Sequence, residues 1–465
     1  MELTAHAAEA VGLPAPERET LARLIRIYDS HRSKNAQKRK YYEGHIPLSE
    51  CNLGLALPRG ILGLEIGCAW GEKTVDVLAS RSMFDGYVGA NGEAAEGMTR
   101  IVEANRLLAE YMKACRDELK YGCTFATLSA DPVLGCRIRF HSPETAAAEW
   151  DGEQGRIGAG FAVVAMERDV MTGEQRPVCL HLHMPDAVWT VSRDRGTDVW
   201  RARRHPHIMG RPMMEPLIWN ATSAKPFGRS RLKEPIRRLI QGYVRTVANA
   251  TIGLEFSTAP QKYVLGVTDA QYDALVDDKF KAYVGSMIAA TANPETGENP
   301  VFGQLPQGTI GPHVEMLRML ATQFSAATGL TVTDTGVVND SNPTSSDAIL
   351  AQSQTLILTA EQLNAGNGYS LYAIAQMAQA VASNVRPEDL TDEQKSVVAH
   401  FRNPAMPSVA VTADAAVKIA SARPAFGDTD VFLEMNGFSQ ADIRRIKAQE
   451  TRARGMQLLA ELENE

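Results

Sequence analysis

A helical period that stops, gives way to turns and then starts again constrains this chain most. Between positions 232 and 247, Leu232, Ile236, Leu239, Ile240, Tyr243, Val244 and Val247 recur at helical spacing, with Arg237, Arg238 and Arg245 between them. That spacing predicts a helix with one apolar face. Ser230 stands where an N-cap is wanted, and Pro235 is tolerable only near the helix start. The pattern has ended by Ser257-Thr-Ala-Pro260. A turn-rich insertion over 257–310 follows, in which Tyr283–Pro306 reads as a pair of hairpin strands. Gly311-Pro312 opens a second helix with Pro in its first turn. Its apolar face is Val314, Leu317, Leu320, Ala321 and Phe324, and Gly329 is its stop.

The flanking segments make the chain α+β. Residues 17–40 read as a helix with Leu21, Leu24, Ile25 and Tyr28 on one face. It ends in a basic run (Arg32, Lys34, Lys38, Arg39, Lys40) that serves either as a solvated helix end or as a phosphate contact. From about 120 to 220 the pattern is strand-like, as in Cys136–Ser142, Gly158–Arg168 and Val178–Asp194, and predicts an antiparallel sheet. Thr344 and Asp347 have capping-box spacing and open a long helix. Asn364-Ala-Gly-Asn-Gly368 is expected to break or kink it. Residues 442–465 read as a charged amphipathic helix.

Bulk properties narrow the functional classes. At 465 residues the chain is long enough for several domains. It has no apolar run long enough to span a bilayer, and its first residues lack the pattern of a secretion signal. The six cysteines form no CxxC pair, so free thiols are expected. A net charge of −7 argues against gripping DNA over a wide surface, though not against letting DNA slide past.

The motifs give catalysis no support. Glu65-Ile-Gly67-Cys-Ala69-Trp70-Gly71 has the outline of the turn of an S-adenosylmethionine-dependent methyltransferase-like enzyme, the alternative function for this chain. Ala69 replaces the middle glycine of that frame, however, and an indole follows it where a cofactor needs space. The competing reading makes Trp70 a core aromatic, with a helix starting beside it. His181 and His183, two apart on a strand, point the same way, and His205 and His207 follow. No fixed acidic partner accompanies them, so no metal is assigned. With no Gly-x-Ser-x-Gly elbow, phosphate loop or His-Glu-x-x-His, the expectation is a non-enzyme without cofactor.

The order of elements resembles the portal proteins of tailed bacteriophages, the branch of long-tailed phages. Tyr41-Tyr-Glu-Gly-His45 looks like an early element of that family. Trp70-Gly-Glu-Lys-Thr-Val-Asp76, Leu78–Arg81 and Asp85-Gly86 resemble the next. Ala148–Asp151, Gly210-Arg-Pro212 leading to Asn220, and Gly228-Arg-Ser230 are similar to its wing strands and stem entrance. Pro260-Gln-Lys262 with Gly266, then Thr328-Gly329 and Asn342–Ala348, complete the series; the last two are the most specific. Lys262 stands where the family more often has Arg, and Leu330 where a Pro is frequent.

That resemblance implies a portal fold. It begins with an α/β wing whose opening segment is 1–227, followed by stem helices (228–256 and 311–329) and a small α/β clip between them (257–310). A tunnel loop (330–344), a long wing helix (345–383) and a helical crown and C-terminal region (384–465) follow. It also implies a homo-oligomeric ring of twelve subunits at one capsid vertex of a virion assembled in the host cytoplasm. Double-stranded DNA would be packaged and ejected through its channel. The implied partners are the terminase large subunit, the head-completion adaptor and the major capsid and scaffolding proteins, with no membrane. Val338, Asn339, Asp340, Ser341 and Asn342 would form the tunnel loop, and Arg237, Arg238 and Arg245 are channel-facing candidates. The stripe at 232–247 would then face neighbouring copies. Twelve subunits at −7 carry about −84, a field that resists tight DNA binding.

Overall fold

The strand-like tract folds into two antiparallel sheets, one of five strands and one of three. They lie in a computed structural model that describes residues 5–51, 65–89, 95–168, 173, 175–194, 199–258, 262–266, 297, 299, 301–304, 309–337, 346–405 and 409–463. In chain order the helices are α1 (Ala15–Glu43), α2 (Trp70–Ala79), α3 (Glu96–Ala104), α4 (Leu107–Tyr121), α5 (Glu234–Thr258), α6 (Gly311–Thr328), α7 (Ser346–Ser383), α8 (Asp392–Lys395), α9 (Val409–Ala422), α10 (Asp430–Met435) and α11 (Gln440–Glu463). The strands are β1 (His45–Pro47), β2 (Glu65–Gly67), β3 (Phe84–Val88), β4 (Cys123–Asp131), β5 (Gly135–His141), β6 (Ala146–Asp151), β7 (Arg156–Arg168), β8 (Gln175–His183), β9 (Ala187–Arg193), β10 (Trp200–Pro206), β11 (Met214–Ile218), β12 (Lys262–Leu265), β13 (Val301–Gln304) and β14 (Val398–Phe401).

The five-stranded sheet runs β10-β9-β8-β7-β6 and packs one face on α1. Pro16 in the first turn favours the start of α1, and Gly44, in the left-handed region at φ 76°, ends it. Leu21, Leu24, Ile25 and Tyr28 are buried against Phe161, Leu180, Leu182 and Val191, as their spacing predicts.

The three-stranded sheet, β11-β4-β5, divides the larger core from a smaller one. Strand alternation sends Ala126 and Leu128 of β4 to the main core, and Cys123 and Phe125 to the opposite face. On the main-core side lies α7, burying Leu371, Ile374, Met377 and Ala378.

Three expectations are corrected here. Ser230 does not cap α5: its hydroxyl donates to the Lys120 carbonyl at 2.5 Å and accepts from the Leu232 amide, pinning the chain to the end of α4. The helix starts only at Glu234. The stripe Leu232, Ile236, Ile240 and Val244 is buried in the subunit's own core and does not face a neighbouring copy. Finally, α7 runs unbroken through 364–368. Asn367 there is fully buried, its amide donating to the Glu118 carboxylate at 2.8 Å and the Tyr111 hydroxyl at 2.9 Å. Those bonds hold the helix where two glycines would otherwise loosen it.

The insertion is described only over short stretches. Val301–Gln304 pairs with Lys262–Leu265, ahead of the stretch read as a hairpin, while 267–296 lie outside the described residues. So do Val338, Asn339, Asp340, Ser341 and Asn342, and with Thr344 the expected capping box. In α11, Ile443 is buried while 451–457 are exposed throughout.

Candidate functional site at the root of the paired helices

The two interrupted helices run antiparallel. Gly242 of α5 lies against Leu320 of α6, where an added Cβ would meet Leu320 Cδ2 at 3.2 Å. A small residue lets the two backbones approach closely. Their root is a single indole. Trp70 stacks on Phe324 of α6 at 4.5 Å and meets Tyr243 of α5 at 4.6 Å. Its Nε1–H donates to the Thr335 carbonyl at 3.0 Å, so the one polar atom of the ring is satisfied.

Nothing in this placement supports the methyltransferase reading. A dinucleotide-type turn needs a parallel sheet with its ligand at the strand ends, whereas among the described residues β2 pairs only with β1, antiparallel. The turn is also covered: a Cβ on Gly71 would lie 1.9 Å from the Tyr41 carbonyl oxygen. Gly71 is there so that α2 can pack against the end of α1.

A second clamp was missed by sequence reasoning, which noted Arg237, Arg238 and Arg245 but not Arg231. Its buried guanidinium donates through Nε to the Thr74 carbonyl and through Nη2 to the Thr328 carbonyl, both at 2.6 Å. Thr328 ends α6, so one of its orphan carbonyls is satisfied. Burial pulls the pKa of Arg231 down to about 10, still charged at neutral pH.

The three noted arginines do not act as a set. Arg237 donates to Gln37 at 2.8 Å and lies over the Tyr41 ring, turned towards α1. Arg238 is exposed and pairs with Glu234 at 3.2 Å. Arg245 is half-buried near Cys51.

Between α1, the smaller-core face of β4 and the 225–234 segment lies an open groove of about 580 Å³. Its lining includes the rings of Tyr28, Phe125 and Phe227, six cations (Lys34, Lys38, Lys225, Arg229, Lys233 and Arg237) and one carboxylate, Glu234. The basic end of α1 is thus divided. Arg39 pairs with Glu144 and Lys40 with Glu50, while Lys38 donates to the Tyr121 carbonyl at 2.8 Å. Burial first, then Arg237 and Lys34, lower the Lys38 pKa.

Of the four histidines read from the sequence, His183 is buried and His205 exposed, while His207 meets the Met184 carbonyl at 3.2 Å. His181 and His183 have ring centroids 6.3 Å apart, and neither nitrogen of the buried His183 has a partner. Burial, then His181, His141 and His207, push its pKa down to about 3, so it is neutral near pH 7. Among the described residues no group of three or more His, Cys, Asp or Glu side chains is placed to hold a metal, and no helix is long and apolar enough to cross a membrane.

No family model and no curated protein matches the chain. Among solved structures it is similar to a chain of the virion of a native gene transfer agent particle, at 11% identity and a TM-score of 0.45, over 76% of this chain and 86% of that one. It is also similar to a chain in the neck of the empty particle, computed with C6 symmetry (12%, TM-score 0.44, 76% and 86%). A third is in the neck of the native particle, computed with C12 symmetry (10%, TM-score 0.43, 76% and 84%). Likenesses of this size establish no family.

Proposed function

We propose that this chain is the subunit of a portal ring, a non-enzymatic conduit for double-stranded DNA at one vertex of a phage-like capsid. One observation carries the reading. The roots of α5 and α6 are locked into the subunit core, yet further along the pair Leu254, Ile310, Val314, Met316 and Met319 are between 36% and 46% exposed. Exposed apolar side chains along a helix pair are positions that packing against another molecule would cover. Copies of the same pair would supply it, with the insertion at the tip.

On this reading α5 and α6 are the stem, and the insertion between them is the clip that docks the terminase large subunit and then the head-completion adaptor. The major capsid and scaffolding proteins would surround the wing. Arg238, exposed on α5, is the best placed of the three arginines for passing contact with phosphate. Subunits at −7, twelve in the ring the resemblance implies, would keep such contacts brief.

The segment containing Asn339 and Asp340 would touch the moving DNA. Replacing both with tryptophan is expected to impair packaging, read as nuclease-protected DNA per particle, while ring assembly is retained. Normal packaging by that variant would remove the segment's role.

A further inference from the structure

The basic groove has a complement on the same chain. Residues 387–393, Pro-Glu-Asp-Leu-Thr-Asp-Glu, carry Glu388, Asp389, Asp392 and Glu393, all exposed; of these Glu388 is shared with Arg386 just before the turn, at 3.6 Å. The turn is rigid. Leu390 is buried at 3% exposure, and Thr391 and Gln394 form a reciprocal capping box that starts α8. A rigid projection loses little conformational freedom on docking.

Groove and turn lie on opposite sides of the three-stranded sheet. Phe125 lines the groove from the smaller-core face of β4. The turn follows α7, which packs on the other face; Ala382 near its end lies against Gly135 at the β4–β5 turn. A chain cannot readily fill its own groove with a turn on its far side, but a second copy can.

We propose that the acidic turn 387–393 of one subunit docks into the basic groove of the next. The contact joins two different patches, so it is head-to-tail, the kind that closes into a ring when the rotation permits. It deepens the ring reading above, and rests on it, by naming the surfaces that meet. The cations of the groove suit it: among the described residues Lys34, Lys225, Arg229 and Lys233 are exposed and form no ion pair. Apart from the six groove cations, the rest of the chain carries a formal charge of −13. A long polyanion would meet a remainder that is negative on balance, whereas the turn brings a few carboxylates to one place.

The test uses two full-length variants in mass photometry at matched concentration. One is Lys225→Glu/Arg229→Glu/Lys233→Glu and the other Glu388→Lys/Asp389→Lys/Glu393→Lys. Each alone is expected to lower the assembled fraction by about tenfold or more. An equimolar mixture should recover assembly, because each variant then meets its complement. Recovery also shows that neither variant is unfolded. Parent-like assembly by either variant alone, a mixture that stays dissociated, or a parent that never assembles would overturn the assignment. So would loss of binding to a duplex DNA fragment on groove reversal with the turn variant assembling normally, which makes the groove a nucleic-acid site. Rings that persist through both reversals remove this contact and leave the conduit reading standing.

Discussion

Gly67 and Gly71 look alike in the sequence and differ completely in the fold. A Cβ at Gly67 meets nothing within 4 Å, whereas one at Gly71 falls on the Tyr41 carbonyl oxygen. Gly71→Ala is therefore expected to cost about 3 kcal/mol by forcing α2 away from α1, and Gly67→Ala well under about 1. Urea denaturation of the two variants checks this; a cofactor turn would instead make Gly67 indispensable. Trp70 was legible as a misfit in a cofactor turn, because an indole occupies the volume a ligand needs. Its partners Phe324 and Tyr243 were not legible, since nothing local in a sequence records which distant ring it stacks on. Arg231 was overlooked for the same reason: its acceptors, Thr74 and Thr328, come from two other helices.

At the scale of elements, boundaries set by local chemistry were readable. Pro312 and Gly329 bracket α6 as expected, because proline's missing amide suits a first turn and glycine tolerates the left-handed stop. Boundaries set by tertiary contacts were not. Gly366 and Gly368 suggested a break in α7, and the buried bond from Asn367 to Glu118 overrode them. That bond has a pH signature. Burial raises the Glu118 pKa from 4.5 to about 8, opposed by the Asn367 amide. The folded state therefore keeps a proton that the unfolded chain releases between those values. Stability from this site is complete below about pH 4.5 and declines as pH rises towards 8, by up to roughly 5 kcal/mol. Glu118→Gln, neutral at every pH, should remove that slope in denaturation midpoints measured from about pH 5 to 8. An unchanged slope would place the titrating group elsewhere.

For the whole molecule, the order helix, insertion, helix and long helix was legible, and so was the antiparallel character of the 120–220 tract. The use of the apolar stripe on α5 was not. Periodicity shows that a face is buried but not whether it is buried in its own subunit or against a copy. In the fold, the stripe over 232–244 belongs to the subunit core, which leaves the exposed apolar positions Leu254, Ile310, Val314, Met316 and Met319 for association. Electron microscopy of the purified protein tests this most directly. The account predicts annular particles with an axial hole for the parent, and single subunits for Val314→Lys/Met319→Lys. Lone globules under every assembly condition, or rings unaffected by those two lysines, would contradict it.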